Sequence, residues 1–205
     1  MLTFDHLAIA AETLDAGVAM AEEALGVALS PGGEHQAMGT HNRLLSLGPG
    51  EYLEVIAINP AAAPPGRPRW FGLDGFAGRA RPQCWIARSD DLQAALASAP
   101  EGIGVPIHFT RGIYEWEMAV PDSGLLPFDG LFPALIGWHS KAHPAEALPD
   151  AGVRLKRLVI THPEAAALRA ALAPMMTDTR IAVTTGAELA LAAEFDTPNG
   201  PRLLA

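Results

Sequence analysis

Two short alternating segments each place one chemically competent side chain inside an apolar run: Phe4-Asp5-His6-Leu7-Ala8-Ile9-Ala10 and Tyr52-Leu53-Glu54-Val55-Ile56-Ala57. On a strand, successive side chains point to opposite faces. His6 is therefore expected to share a face with Phe4 and Ala8, and Glu54 with Tyr52 and Ile56, while Leu7, Ile9, Leu53 and Val55 read as core. A histidine and a carboxylate converging from two strands of one sheet begin either a metal site or a general acid/base pair. A catalytic divalent metal takes about three protein ligands and keeps a position open. His6 and Glu54 supply two, and His41, which doubles as a candidate catalytic group, or a histidine of the later strands has to supply the third. An unpaired carboxylate among Leu53, Val55 and Ile56 would be costly, so Glu54 needs a partner. As a general base it would benefit from a burial-raised pKa. A rim salt bridge with Arg43 or Arg69 accounts for the residue equally well.

The remaining candidates are ligand-binding. His35 follows Pro31-Gly32-Gly33, a predicted turn that would cover a pocket, though a solvated loop histidine is the plain reading. His41 and Asn42 enter a strand from Gly39-Thr40, where side chains can be aimed inward. Asn42 also suits turn stabilisation. Arg69-Trp70-Phe71 combines a guanidinium with two aromatics that could hold an anionic group, or pack a linker. Trp116 alternates with Glu115 and Glu117 beside Tyr114 and Met118, as core or pocket wall. Trp138, His139 and His143 cluster at a strand end, His143-Pro144 also reading as a loop feature. Cys84, in an apolar strand without an adjacent base, reads as a small buried thiol and not a nucleophile.

Positioning these groups requires a strand, a helix and further strands. Thr13 caps a predicted helix with Leu14, Val18, Ala21 and Leu25 at helical spacing and Gly26 as its stop. A weak strand at 27–30, a strand at 40–47 and the strand bearing Glu54 complete a βαβββ succession. A shift of 78 positions repeats it, placing Cys84 on His6 and Leu92 on Leu14. In this second copy Asp90 starts a helix that Pro100 ends. Strands follow near 107–110, 113–120 and 132–139, and the position of Glu54 falls near Gly137. A third partial copy has a strand at 154–161, a helix with Pro163 in its first turn, and strands at 181–185 and 189–195. The expectation is one α+β domain over 1–205, built from modules 1–60 and 81–140 and a partial module 153–205. The Pro/Ala-rich stretch 59–68 is the only linker-like segment.

With 205 residues and 49% hydrophobic content the chain can bury a sizeable core. Its 14 Lys+Arg against 23 Asp+Glu, net charge −9, argue against nucleic acid or an anionic membrane as partner. A small molecule or another protein is the expected partner. A single cysteine suits a reducing compartment, and no signal-like or membrane-spanning apolar run is present, so a cytoplasmic location is expected. The 20 Gly and 18 Pro fit a GC-rich bacterial coding bias. Gly48-Pro49-Gly50 lacks the spacing of a phosphate loop, so no nucleotide cofactor is expected.

The βαβββ unit with histidine on its first strand and glutamate on its last resembles the vicinal oxygen chelate superfamily. More narrowly, the segments around His6 and Glu54, together with Pro31-Gly32-Gly33-Glu34-His35 and Gly39-Thr40-His41-Asn42, resemble its glyoxalase-like domain family. That resemblance implies paired modules curling into a cup-like mixed sheet with helices outside, and a small-molecule lyase, isomerase or dioxygenase acting on a carbonyl or vicinal-oxygen compound. It further implies a divalent metal (Zn, Fe, Mn or Ni) at the cup floor, and a homodimer, because cups in the superfamily are often completed between chains. Metal-free members of the bleomycin-resistance type bind or sequester a ligand instead. The pattern carries over to His6 and Glu54, but its second ligand pair meets Cys84 and Gly137.

Overall fold

A computed structural model describes residues 1–205. The first succession comprises β1 (Thr3–Ala10), α1 (Leu14–Leu25), β2 (Ser30–His35), β3 (Thr40–Gly48) and β4 (Glu51–Ile58). The Thr13 side chain accepts from the Ala16 N–H, and Gly26, in the left-handed region, ends the helix. Leu14, Gly17, Ala21 and Leu25 form its buried stripe. Gly17 is required there: a Cβ would lie 2.6 Å from Val55 Cγ1 and 2.8 Å from Ala11 Cβ, so the helix backbone can press directly onto β4.

The second succession is β5 (Arg81–Arg88), α2 (Leu92–Ser98), β6 (Val105–Arg111), β7 (Tyr114–Val120) and β8 (Ala134–Trp138). Asp91, not the expected Asp90, caps α2, its carboxylate accepting from the Ala94 N–H. The eight strands form one mixed sheet in the order β2-β3-β4-β1-β5-β8-β7-β6. The two halves are thus related about the antiparallel β1–β5 pair, each with a parallel internal pair, β1–β4 and β5–β8. Edge strands β2 and β6 come into contact, so the sheet curls into the expected cup.

The chain continues through α3 (Pro144–Ala147), β9 (Arg154–His162), α4 (Ala165–Leu172), β10 (Ile181–Thr185), β11 (Ala190–Thr197) and β12 (Gly200–Leu204). The succession is again βαβββ, but the pairing differs. These strands form a separate sheet ordered β10-β9-β11-β12, in which the first strand sits between the second and the third. Pro163 precedes α4 instead of occupying its first turn, and Glu164 is the capping position. Leu158, Ile160 and Phe195 of this sheet join the same continuous core as Leu7, Trp85 and Leu135 of the large sheet. Arg180 ties the sheets together, donating to Glu51 at 2.6 and 2.9 Å. No helix is long and apolar enough to cross a membrane.

Two departures from simple alternation matter for the site. The β1–β5 register runs Phe4↔Ala87 and then His6↔Ile86, which leaves Asp5 as an extra residue on β1. Such a bulge puts two residues opposite one and resets the alternation. Asp5 and His6 therefore reach the same side of the sheet, and Phe4 does not share it with His6 as expected. The predicted Pro31-Gly32-Gly33 turn is instead part of β2, whose pairing with β3 is interrupted between Pro31 and Glu34. There, a Cβ on Gly32 would fall 2.2 Å from Asn42 Oδ1.

Candidate functional site

The cup floor is a chain of hydrogen-bonded polar groups that starts at the bulge. Asp5, fully buried, lies with Oδ1 2.6 Å from His6 Nδ1 and accepts at Oδ2 from Trp138 Nε1 (3.0 Å). His143 Nε2 approaches the same Oδ2 at 3.1 Å, and Arg88 Nη1 at 3.5 Å. His6 stacks on Tyr52 with ring centroids 4.2 Å apart. Its other nitrogen, Nε2, lies 3.6 Å from Glu54 Oε2. Asn42 Nδ2 donates to Glu54 Oε1 at 2.5 Å. The Asn42 amide is oriented by its own acceptor, which takes the Gly33 N–H at 2.7 Å. Arg111 Nη1 reaches that Oδ1 at 3.4 Å and His35 Nε2 at 3.0 Å.

These contacts fix the charge states. Burial pushes the Glu54 carboxyl up, but the His6 hydrogen bond and charge, the His35 charge and the Asn42 hydrogen bond outweigh it and hold the pKa at about 2. The expected burial-raised value is overturned, because the burial is accompanied by three partners. Asp5 is likewise lowered: burial raises it, while His143 and His6 hydrogen bonds and charges depress it further. For His6, burial favours the neutral ring, yet Asp5 and Glu54 raise its pKa above the ordinary 6.5. The His6 ring thus sits between two carboxylates that favour its protonated form. His35 is the opposite case: burial above all, then the Arg111 charge, takes it down to about 4.

Around this floor, Trp70, Phe71, Trp116, Met118, Ile136 and Trp138 form an apolar wall. The space left open to the centres of water-sized molecules is about 20 Å3, room for a single water or ion. Phe71 holds a φ of 60°, a left-handed conformation rare for a bulky residue. It is pinned by Gln83 Nε2 donating to its carbonyl at 3.1 Å and by Gly72 N–H donating to Gly124 O at 2.9 Å.

Residues 4–176 match the family model described as the glyoxalase-like domain. The chain belongs to this family. It is a vicinal oxygen chelate fold, with the α+β architecture that the paired modules imply. No curated protein matches the glyoxalase-like chain in sequence. Among solved structures it is similar to a hypothetical protein from Staphylococcus aureus, at 11% identity and a TM-score of 0.63 over 92% of this chain and 88% of that one. A variant of Streptomyces coelicolor methylmalonyl-CoA epimerase in complex with 2-nitronate-propionyl-CoA aligns at 18% identity and a TM-score of 0.45, over 69% of this chain and 100% of that one. The Mycobacterium tuberculosis methylmalonyl-CoA epimerase aligns at 18% identity and a TM-score of 0.42, over 70% and 91%. At these identities the likenesses bear on the fold alone.

The structure brings together His6, His35, Asn42, Glu54, Trp70, Trp116 and Trp138 of the expected residues. His143 stands behind the floor, against Asp5, Tyr52 and Trp138. Two are not brought there. His41 alternates with Asn42 on β3 and faces away from the cup, its surroundings set by Glu34, Arg43 and Asp15, so it offers the glyoxalase-like cup neither a third ligand nor a catalytic group. Arg69 is paired with Asp74 at 2.5 Å on the linker turn. Neither it nor Arg43 is the partner of Glu54; His6 and Asn42 are. Gly137 presses against Leu92 of α2, where a Cβ would lie 3.2 Å away, so the cup-facing residues of β8 are Ile136 and Trp138. Asp5, Tyr52, Arg88 and Arg111 belong to the site without having been singled out. Asp5 was visible beside His6, but strict alternation assigned it to the other face.

The donor set of the floor does not fit the divalent metal that the family implies. Only His6 Nε2 and Glu54 Oε2 are left without a further partner, 3.6 Å apart, and a ring held towards its protonated form offers no lone pair to a metal. His35 Nε2 is engaged by Arg111, and Asp5 is saturated by four neighbours. Cys84 is buried with its thiol directed to the Trp85 carbonyl, and burial raises its pKa. The Arg111 guanidinium adds a positive charge at the cavity.

Proposed function

We propose that the cup is the active site of an enzyme that moves a proton on a small carbonyl or vicinal-oxygen compound, in a reaction of the isomerase or lyase type. The observation that carries this reading is the Asp5–His6–Glu54 alignment: His6 Nδ1 held by Asp5 at 2.6 Å, with Nε2 3.6 Å from a carboxylate oxygen that Asn42 leaves free. Asp5 orients the ring and supports its positive charge, as a buried carboxylate does for a catalytic histidine. The His6 Nε2–H then donates to the substrate oxygen and stabilises the developing enolate or oxyanion. Glu54 is ionised at neutral pH, its pKa held at about 2 against burial chiefly by His6; once the substrate oxygen takes over the His6 Nε2–H, Glu54 loses that partner, gains basicity and accepts the proton from the adjacent carbon.

The rest of the cavity describes the substrate. Aromatic rings supply an apolar, planar surround, and Arg111 provides one cation for an anionic oxygen. Trp70 Nε1 is buried without a protein partner, a free donor for a second ligand oxygen. With so little open space, a substrate enters only when the Arg111 contacts across the β2 and β6 edges part.

The test is incubation with a panel of small 2-oxo and 2-hydroxy carbonyl compounds in deuterated water, read as deuterium uptake into the carbon skeleton. Glu54→Gln should lower uptake by about 10²- to 10⁴-fold. Metal-free sequestration is the second reading, favoured by Cys84 and Ile136 standing on the second half where ligands would be needed. A compound that raises the unfolding temperature but neither exchanges nor turns over would reject the enzyme and establish the binder.

A further inference from the structure

A second polar constellation lies on the other face of the sheet, apart from the cup. Trp116 and Met118 of β7 line the cavity, so Glu117 between them points outward. It pairs across β6 with His108 and across β8 with Gly137, which faces α2. His139, one residue beyond β8, is fixed by its N–H donating to the Glu115 carbonyl at 2.8 Å. His108, Glu117 and His139 are the one trio of His, Cys, Asp or Glu side chains whose ligand atoms all come within 4.8 Å of one another.

We propose that His108, Glu117 and His139 form a binding site for a divalent transition metal of the zinc class. Two imidazoles and one carboxylate are a donor set that selects borderline ions such as Zn2+, Ni2+ or Cu2+ over Mg2+ and Ca2+, which require oxygen ligands. The spacing suits a small ion. Ligand bonds of about 2.1 Å in tetrahedral array place neighbouring donors about 3.4 Å apart, and Glu117 Oε2 lies 3.3 Å from His139 Nε2. The His108 and His139 rings, 6.1 Å between centroids, close around the same point with small side-chain rotations, while the strands hold their backbones. Glu115 Oε1, 3.6 Å from His108 Nε2, stands alongside and adds negative charge. Three protein ligands leave one position open to solvent, a fourth donor or a ligand.

This site does not depend on the reading of the cup, and the two are tested separately. The full chain, stripped with chelator, is titrated with Zn2+ and, in parallel, with Mg2+, and bound metal is counted after dialysis. One equivalent of Zn2+ and no Mg2+ is expected, with affinity falling as pH is lowered because imidazole must be deprotonated to bind. His108→Ala and His139→Ala should each weaken Zn2+ binding by about tenfold or more, with unfolding temperatures of the metal-free variants unchanged because both rings are half exposed. Co2+ bound at the site should show the visible absorption of a four-coordinate ion, lost in the same variants. No bound Zn2+, or Zn2+ retained in the His108→Ala/His139→Ala double variant, would overturn the proposal. So would loss of the Zn2+ on His6→Ala.

Discussion

Asp5 and His6, consecutive on one strand, point to the same side of the sheet and meet at 2.6 Å. Ordinary strand geometry forbids such a meeting, and the bulge opposite Ile86 permits it. The charge of His6 depends on it, because after burial, which acts the other way, Asp5 is the leading cause of its raised pKa. Asp5→Asn should lower the His6 pKa while retaining the shape of the pair. Histidine ring-proton shifts followed by NMR against pH report this directly, and an unmoved His6 titration would refute the coupling.

The pH dependence of stability follows from the same groups with opposite signs. Glu54 is lowered from 4.5 to about 2, so its contribution is complete above about pH 4.5 and is lost as pH falls towards 2. His6 is raised above 6.5, so its contribution is complete below about 6.5 and is lost as pH rises through the folded-state value. Stability should be greatest between these limbs. Glu54→Gln should flatten the acid limb and shrink the alkaline one, since Glu54 helps to hold His6 charged. Urea midpoints measured from pH 2 to pH 9 decide it.

Gly32 grips the relay from the β2 side. Gly32→Ala should destabilise the protein by about 1–3 kcal/mol, since the added methyl would stand 2.2 Å from Asn42 Oδ1. Displacing Asn42 also removes a donor from Glu54, so the Glu54 pKa should rise. A denaturation series combined with carboxyl-carbon NMR separates the two effects. An unchanged midpoint would show that β2 yields without cost.

Gly17→Ala should be destabilising by a similar about 1–3 kcal/mol, despite the better helix propensity of alanine. The contact with Val55 is made by backbone packing, and the methyl would need α1 to lift from β4. Combining it with Val55→Ala should recover part of the loss. A double variant no more stable than the sum of the singles would contradict direct contact.

Cys84 should be inert to thiol reagents in the folded protein. It is buried, and burial raises its pKa, which removes the thiolate that reacts. Labelling by an aromatic disulfide reagent is expected only above the urea midpoint; rapid labelling in buffer would show that the cup opens to β5.

The elements were largely legible because their signals are local. Thr13 and Gly26 bracket α1, and period-two runs mark β1, β4 and β5. The paired modules followed from the repeat of those signals. Pairing was less legible: the third βαβββ succession places β9 between β10 and β11, an order that no local pattern announces. His6 and Glu54 were found as polar interruptions of apolar strands. His41 was misplaced because entry from a glycine-containing turn does not reveal which strand face comes first. Asp5 was missed because a bulge has no signature in alternation. Arg111 was missed because it reaches the site from the distant edge β6, across a gap that exists only once the sheet curls.

The two halves of the large sheet contribute unlike material. His6, His35, Asn42, Tyr52 and Glu54 come from the first half, while Trp116, Met118, Ile136 and Trp138 come from the second. On the proposed function, the duplicated scaffold separates reactivity from selectivity, with Arg111 the one charged group that the second half adds to the cavity. On that proposal, substitutions at Met118 or Ile136 would reshape what is admitted without disturbing His6 and Glu54, which would leave the second half free to diversify towards new molecules while the first is held fixed.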